Sequence, residues 1–317
     1  EQDRRTRHSP HIDVQEIRRH LVEANTGVKY RHSFHAGNFA DVHKHVALLA
    51  LLRAMQRKDK GFLYLDTHAG AGCYDLADLS THHGAEARHG VTALMAAAEP
   101  AAAELRDYRA QVAAARAALD GPRIYPGSSL LAARVLRPQD RGLCCELLAR
   151  ECRALERAVG AFPGMRTECG DGFHCLQASL PPALRRSLVL IDPPYENPAE
   201  EIGHALTAIA AALARLANAV IALWYPIKDE RWLASWQQRI ARELSAPAVC
   251  LELWLYPRDA RVALNGSGLL IVNPPYRFAQ CADAWQRELR GLLDGTGLGG
   301  SAVRTLIVQK DSLRAGA

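Results

Sequence analysis

Apolar residues recur along this chain in two periods. Between 39 and 55, Val42, Val46, Leu49, Leu52 and Met55 fall three or four apart, which predicts an amphipathic helix with Lys44 and His45 near its start. A short apolar run at 61–66 then predicts a strand. It runs into a glycine turn, Thr67-His-Ala-Gly-Ala-Gly72. Further strands are predicted at 141–147, 165–169, 188–191, 219–224, 249–256 and 268–272, with helices at 128–136, up to 159, at 200–216 and at 232–244. Strands alternating with helices build a doubly wound, mostly parallel sheet. Residues 84–120 interrupt this alternation with Ala-rich helical sequence, broken at Pro100 and stopped at Gly121-Pro122. A helical insertion is therefore expected at about 77–125. Residues 1–29 are charged and read as an N-terminal extension to one domain spanning 30–317.

The last two predicted strands are joined by a short loop containing Asn265-Gly266, which suits an antiparallel hairpin. The seventh strand should therefore run against the others.

In a doubly wound sheet, ligands sit beyond the carboxyl ends of the strands. Four of the first five strands place polar residues there: Asp66 and His68, Glu146, Asp171, and Asp192. Gly70 and Gly72 let backbone approach a ligand closely. Glu146 is placed to accept from ribose hydroxyls, and Asp171-Gly172 to contact an adenine amine. The strand at 188–191 enters Asp192-Pro193-Pro194-Tyr195. Proline rings fix that backbone. The corner offers two acceptors, the Asp192 carboxylate and the Pro193 carbonyl, beside the Tyr195 ring. A planar exocyclic amine, as in adenine or cytosine, fits it. A second corner, Asn273-Pro-Pro-Tyr276, ends the antiparallel strand. Asn273 is therefore read as a structural turn on the opposite face. His35 and His43 are read as structural or surface residues, and Trp224 as packing that could also line the substrate pocket.

Composition narrows the class. The chain has 317 residues, 49% of them hydrophobic, and a net charge of +5. That permits a nucleic-acid partner without demanding one. Only six of the 39 basic residues are Lys, an arginine bias that reflects genome composition. There is no apolar run long enough for a membrane span, no signal-peptide core and no Walker-type phosphate loop. The eight cysteines contain no C-x-x-C pair and are expected to be reduced thiols of a cytoplasmic protein. The histidines lack companions at ligand spacing, so no metal site is expected.

The Gly turn, the acid, Asp-Gly and Asp-Pro-Pro-Tyr after successive strands resemble S-adenosylmethionine-dependent amino-methyltransferases. The segment Tyr30-Arg-His-Ser-Phe-His-Ala-Gly-Asn-Phe-Ala-Asp-Val-His-Lys-His45, with Phe62–Gly72, narrows the likeness. Over about 29–313 the chain resembles the RlmJ family of ribosomal RNA large subunit methyltransferases. The resemblance implies a seven-stranded Rossmann-like fold and methylation of N6 of one adenine in 23S rRNA, protein-free or in early assembly, by a monomer. It implies cofactor contacts from His45, His68, Ser128, Glu146, Asp171 and Gly172, and Asp192 as catalytic acid. It also implies that Tyr30, His32 and Lys44 close over cofactor and substrate. Replacing such lid residues should cost turnover but shift stability by only about 0.5 kcal/mol, as a surface change does. The chain departs from the family in its residues ahead of Tyr30 and at Phe39, where a polar residue is expected. Two other classes use parts of the same pattern: a DNA adenine-N6 or cytosine-N4 methyltransferase, and a non-catalytic protein of DNA uptake. No separate target-recognition domain for DNA is evident, and an intact Asp192 corner argues against the second.

Overall fold

In a computed structural model, which describes residues 36–76, 84–228, 230–257 and 264–306, the alternation closes into one sheet. The strands are β1 (Leu63–Asp66), β2 (Cys73–Asp75), β3 (Ile124–Pro126), β4 (Arg141–Glu146), β5 (Met165–Cys169), β6 (Ser187–Ile191), β7 (Val220–Ile227), β8 (Ala248–Trp254), β9 (Gly266–Val272) and β10 (Gly300–Leu306). The main helices are α1 (Phe39–Gln56), α2 (Ala103–Ala118), α3 (Ser128–Val135), α4 (Ala149–Val159), α5 (Gly172–Ser179), α6 (Pro198–Arg215), α7 (Glu230–Glu243) and α8 (Phe278–Leu293).

Eight strands lie in the order β10-β8-β9-β7-β6-β1-β4-β5, and β2 pairs with β3 in a separate ribbon. From β5 to β7 all pairings are parallel. β9 is antiparallel to both β7 and β8, as its hairpin loop predicts. The sheet has one strand more than expected, because β10 adds an edge antiparallel to β8. The chain moves from β1 to β4 and β5 on one side, then returns to β6 and β7 on the other. The crevice between β1 and β6 is thus the switch point where such folds bind ligands. Asp66 is level with Cys144 of β4 and Leu190 of β6, so Glu146 and Asp192 each stand two residues past the end of β1.

Apolar layers cover both faces. One contains α1, α2, α3, α4 and α8, and the other α5, α6 and α7. The helix α1 departs from its expected amphipathic form, for it is buried almost all round. The insertion helix α2 and the C-terminal helix α8 pack against the sides that would otherwise meet water. Its polar residues Asp41, His43, Lys44 and His45 are buried with the rest. Buried polar groups need partners, and all four have them.

The insertion is two short helices, Gly84–Ala87 and Ala93–Ala96, flanking a π turn at Arg88–Thr92, followed by α2. A Cβ on Gly90 would come within 2.1 Å of the Gly37 carbonyl, which accepts from Val91 N at 2.8 Å. The π turn therefore presses on the loop that leads into α1. The expectation that all cysteines are reduced fails at one pair. Cys152 on α4 and Cys169 at the end of β5 are joined, with Cα atoms 5.7 Å apart. α4 packs back along β5, which brings the two together across 17 residues without any short-range sequence signal.

His43 is fully buried between Ser267 Oγ (2.9 Å from Nδ1) and Gln286 Oε1 (2.7 Å from Nε2). Burial lowers its pKa from 6.5 to about 4. Between those values the unfolded chain binds a proton that the folded chain does not, so stability is lost as pH falls through that window. The shift corresponds to a contribution on the order of 3 kcal/mol. In urea titrations at pH 7 and 5, His43→Gln should show a smaller loss than the wild type. An equal loss in both would show that His43 does not set the slope.

Candidate active site

The site begins at the start of α1. Asn38 caps the helix, its Oδ1 accepting from Asp41 N at 2.9 Å, and Asp41 Oδ2 accepts from Gly37 N at 3.0 Å. Lys44 Nζ then donates to Asp41 Oδ1 at 2.7 Å and to Asp192 Oδ2 at 2.6 Å. Lys44 is 3% exposed. Burial would discharge its ammonium, but the Asp192 and Asp41 carboxylates outweigh that and hold its pKa above the ordinary lysine value. A lid residue was expected here. The structure instead places Lys44 on a buried helix, locked between two carboxylates. Its loss should therefore cost stability as well as turnover.

At the end of β1, Asp66 is fully buried and accepts from Tyr64 Oη (2.9 Å), Ser128 Oγ (2.6 Å) and Ser129 Oγ (3.3 Å). Burial raises its pKa, while the Ser128 and Tyr64 hydroxyls pull it back. Ser128, at the start of α3, is thus tied to Asp66. His68 packs edge-on to Phe173 at 5.2 Å and bonds Thr67 Oγ1 through Nδ1 at 2.7 Å. Burial lowers its pKa to about 4, so the ring is neutral at pH 7. Glu146 ends β4 with Oε2 accepting from Gly70 N (2.9 Å) and Oε1 from Leu148 N (2.8 Å). Burial raises its pKa against those two bonds. Each oxygen keeps a further lone pair for a ligand hydroxyl. Asp171 caps α5 by accepting from His174 N at 2.8 Å. A Cβ on Gly172 would lie 1.8 Å from the Thr67 carbonyl, so only glycine brings this loop against the end of β1.

After β6 the chain turns through Pro193 and Pro194 into Tyr195, whose φ is +56°. Such a left-handed backbone is uncommon outside glycine and is held by surrounding contacts. Tyr195 Oη donates to the Trp224 carbonyl at 2.5 Å, and its ring meets Trp224 edge-on at 5.5 Å. The ring is only 7% exposed. The ring expected beside the two acceptors is thus an anchored, largely buried wall. The half-buried Trp224 stands beside it, its Nε1 donating to Ser267 Oγ at 3.0 Å and its ring 5.9 Å from Lys44 Nζ.

The predicted residues thus converge unevenly. Asp192, Lys44, His68, Ser128, Glu146 and the Gly70–Gly72 turn lie around the β1/β6 switch point, with Asp171-Gly172 packed on its rim. His45 is buried and bonded through Nδ1 to Tyr125 Oη at 2.8 Å, against the β3 ribbon. Tyr30, His32 and His35 lie outside the described residues. Asn273 stands at the opposite end of the sheet, its Nδ2 donating to the Ala217 and Ala219 carbonyls at 2.8 and 2.9 Å, as a structural turn should. Asp41 was missed as a site residue. Its only sequence signal is the i, i+3 spacing to Lys44.

These groups fit S-adenosylmethionine. The turn has left-handed glycines at Gly70 (φ +59°) and Gly72 (φ +73°) for close backbone approach. Carboxylates end β4 and follow β5, where ribose hydroxyls and an adenine amine need acceptors. Leu147, 69% exposed beside Glu146, offers an apolar flank for a purine. Asp41, Lys44 and Asp192 together carry a net negative charge that suits a sulfonium. Among the described residues no group of His, Cys, Asp or Glu is arranged to hold a metal, and no helix is long and apolar enough to cross a membrane.

Fold and site together define an S-adenosylmethionine-dependent methyltransferase. The family model for ribosomal RNA large subunit methyltransferase D, RlmJ, matches residues 59–296. Ribosomal RNA large subunit methyltransferase J of Escherichia coli (strain K12) is 36% identical over 257 residues, 80% of this chain and 89% of that protein. The Haemophilus influenzae protein of the same name is 34% identical over 253 residues, 78% of this chain and 88% of its own length. A crystal structure from Legionella pneumophila, 31% identical, superposes with a TM-score of 0.78 over 86% of this chain and 98% of that one. The chain belongs to the RlmJ family of ribosomal RNA large subunit methyltransferases.

Removing Lys44 would leave the buried Asp41 and the partly buried Asp192 without their shared cation, a loss that costs about 3–5 kcal/mol in comparable buried pairs. Lys44→Met should therefore lower the unfolding free energy by about 3 kcal/mol in urea titrations at pH 7. A shift below about 1 kcal/mol would show that the Asp41–Lys44–Asp192 bridge contributes little to the fold.

Proposed function

We propose that the chain methylates N6 of one adenine in 23S rRNA, acting as a monomer on protein-free or early-assembly RNA. The observation that carries this reading is the Lys44-anchored Asp192 carboxylate followed by Pro193 at the β1/β6 switch point. Bound S-adenosylmethionine supplies an electrophilic methyl group on sulfur. The chain's own residues bind, orient and stabilise.

Asp192 Oδ2 is held by Lys44, which leaves Oδ1 to accept one N6 hydrogen. The Pro193 carbonyl accepts the other. Two acceptors in fixed positions draw the amine out of conjugation with the ring and aim its lone pair. Positioning of this kind supplies much of the rate in a bimolecular transfer. As the nitrogen gains positive charge, the same acceptors stabilise it without reorganising. The proton can leave once the nitrogen is cationic, so no strong base is needed before attack. Tyr195 and Trp224 form the aromatic wall of the base pocket, and the target adenine must leave its helix or be unpaired to reach it. Glu146, Asp171, Gly172, Ser128, His68 and His45 are assigned to the cofactor.

Glu146→Gln removes a charge-assisted ribose contact and should weaken cofactor binding by about 1.5–3 kcal/mol in calorimetry. An unchanged affinity would move the ribose elsewhere.

Asp192→Ala should abolish methyl transfer, with a far smaller loss of cofactor affinity. The decisive assay incubates wild type with labelled S-adenosylmethionine and protein-free 23S rRNA, or with DNA, and identifies the product by mass spectrometry of the digested nucleic acid. N6-methyladenosine in RNA at a single site is expected. Another modified nucleoside, or label in DNA alone, would overturn the reading.

A further inference from the structure

The second Pro-Pro-Tyr corner is not used by the site above, yet it is built with equal care. Asn273 (φ +51°) and Arg277 (φ +61°) both hold left-handed backbone, and Asn273 is clamped to the Ala217 and Ala219 carbonyls. Phe278 N closes the turn on the Pro275 carbonyl at 2.9 Å. This rigid frame holds Tyr276 83% exposed. The Arg277 guanidinium lies 6.0 Å from the centre of its ring.

A basic loop adjoins it. Arg57 Nη1 donates to the Tyr276 carbonyl at 3.5 Å, and Lys58 and Lys60 follow in the chain. The loop's main chain is pinned from within. Arg137 Nη1 donates to the carbonyls of Gln56 and Lys58, both at 3.1 Å, and Arg186 donates to those of Met55 and Lys60. The side chains of Arg57, Lys58 and Lys60 are exposed, as is that of Arg277. Among the described residues of this loop and its support, Asp140 is buried and engaged by Arg137, and the exposed Asp59 offsets one of the four cations. Clustered cations around a held-out aromatic ring match what single-stranded RNA needs: phosphate partners and a stacking platform.

We propose that this end of the domain is a second RNA-contact surface, where an unpaired nucleotide stacks on Tyr276 and its flanking phosphates pair with Arg57, Lys58, Lys60 and Arg277. The choice of RNA rests on the function proposed above. Lys44 and Arg57 are 13 residues apart on and just past α1, about 20 Å at the helical rise. The surface therefore engages a part of the folded RNA distinct from the target base. It anchors and orients the substrate without touching the chemistry.

The test uses the full chain, protein-free 23S rRNA, and two exposed-residue variants: Tyr276→Ala and the triple Arg57→Ala/Lys58→Ala/Lys60→Ala. Tyr276→Ala should weaken RNA binding about tenfold, within the range of one base–aromatic stack. The triple variant should make the plot of log affinity against log salt shallower by about two to three. For both, the KM for RNA should rise while kcat at saturating RNA, cofactor affinity and melting temperature stay at wild-type values. The reversal Lys58→Glu/Lys60→Glu should weaken binding further. Unchanged RNA affinity and salt slope, with a wild type that methylates RNA, would overturn the proposal. So would a change in sedimentation of the protein alone with RNA affinity intact, which would mark a protein contact. A wild type that binds RNA through these side chains but methylates none would instead sink the adenine reading and leave this surface standing.

Discussion

The site depends on one buried ammonium. Lys44 bridges Asp41, on its own helix, to Asp192, at the end of β6. Burying a charge is costly unless it is paired and hydrogen-bonded. Here each partner makes the other tolerable, and the bridge fixes the carboxylate's position relative to α1. Its neighbours extend the same principle. His43 reaches Ser267 on β9 and Gln286 on α8, while His45 reaches Tyr125 on β3. Successive helical residues point about 100° apart. Three adjacent side chains therefore tie one helix to the far half of the sheet, the catalytic corner and the ribbon beside the insertion. Ser267 also accepts from Trp224, so the wall of the base pocket is fastened to the same network.

Much of this was legible in the sequence. The strand ends were, because short apolar runs stop abruptly at Asp66, Glu146 and Asp192, and a core strand has no need of such residues. The corner at Asp192 was, because two prolines restrict the backbone whatever surrounds them. The reversed direction of β9 followed from its short connection to β8. The surroundings of α1 were not legible. Periodicity reports which residues favour water, but it cannot report that α2 and α8, distant in sequence, will cover the remaining sides. Lys44 therefore read as a cation near an open site when it is a buried bridge. The C-terminal helix α8 and edge strand β10 were not predicted. α8 carries Phe278, Ala282, Trp285, Leu289 and Leu293 at helical spacing, a signal that was present but not read. β10 is a half-exposed edge strand, where burial imposes little pattern. The Cys152–Cys169 pair arises from α4 lying back on β5, which no local spacing encodes.

The two Pro-Pro-Tyr corners show what local sequence does and does not determine. Both follow buried strands, and both have a left-handed residue: Tyr195 in one, Asn273 and Arg277 in the other. Their fates are set by strand direction. β6 runs parallel to β1 and delivers Asp192 to the switch point, whereas β9 runs against β7 and delivers Asn273 to the other end. Burial then separates the tyrosines. Tyr195 is drawn under Trp224, while Tyr276 stays 83% exposed.

Charge is partitioned along the same axis. The strand ends around the switch point gather Asp41, Asp66, Glu146 and Asp192, and the lysine among them is doubly neutralised. The opposite end gathers Arg57, Lys58, Lys60 and Arg277. A sulfonium cofactor and a developing cationic amine favour the first environment, and a polyanion favours the second. Free cations placed among the strand ends would compete with the methyl donor for the same acceptors, and would attract phosphate into a pocket shaped for a base. Lys44, held between two carboxylates, raises neither conflict. The net charge of +5 is therefore a poor guide to what any one part of this surface will bind.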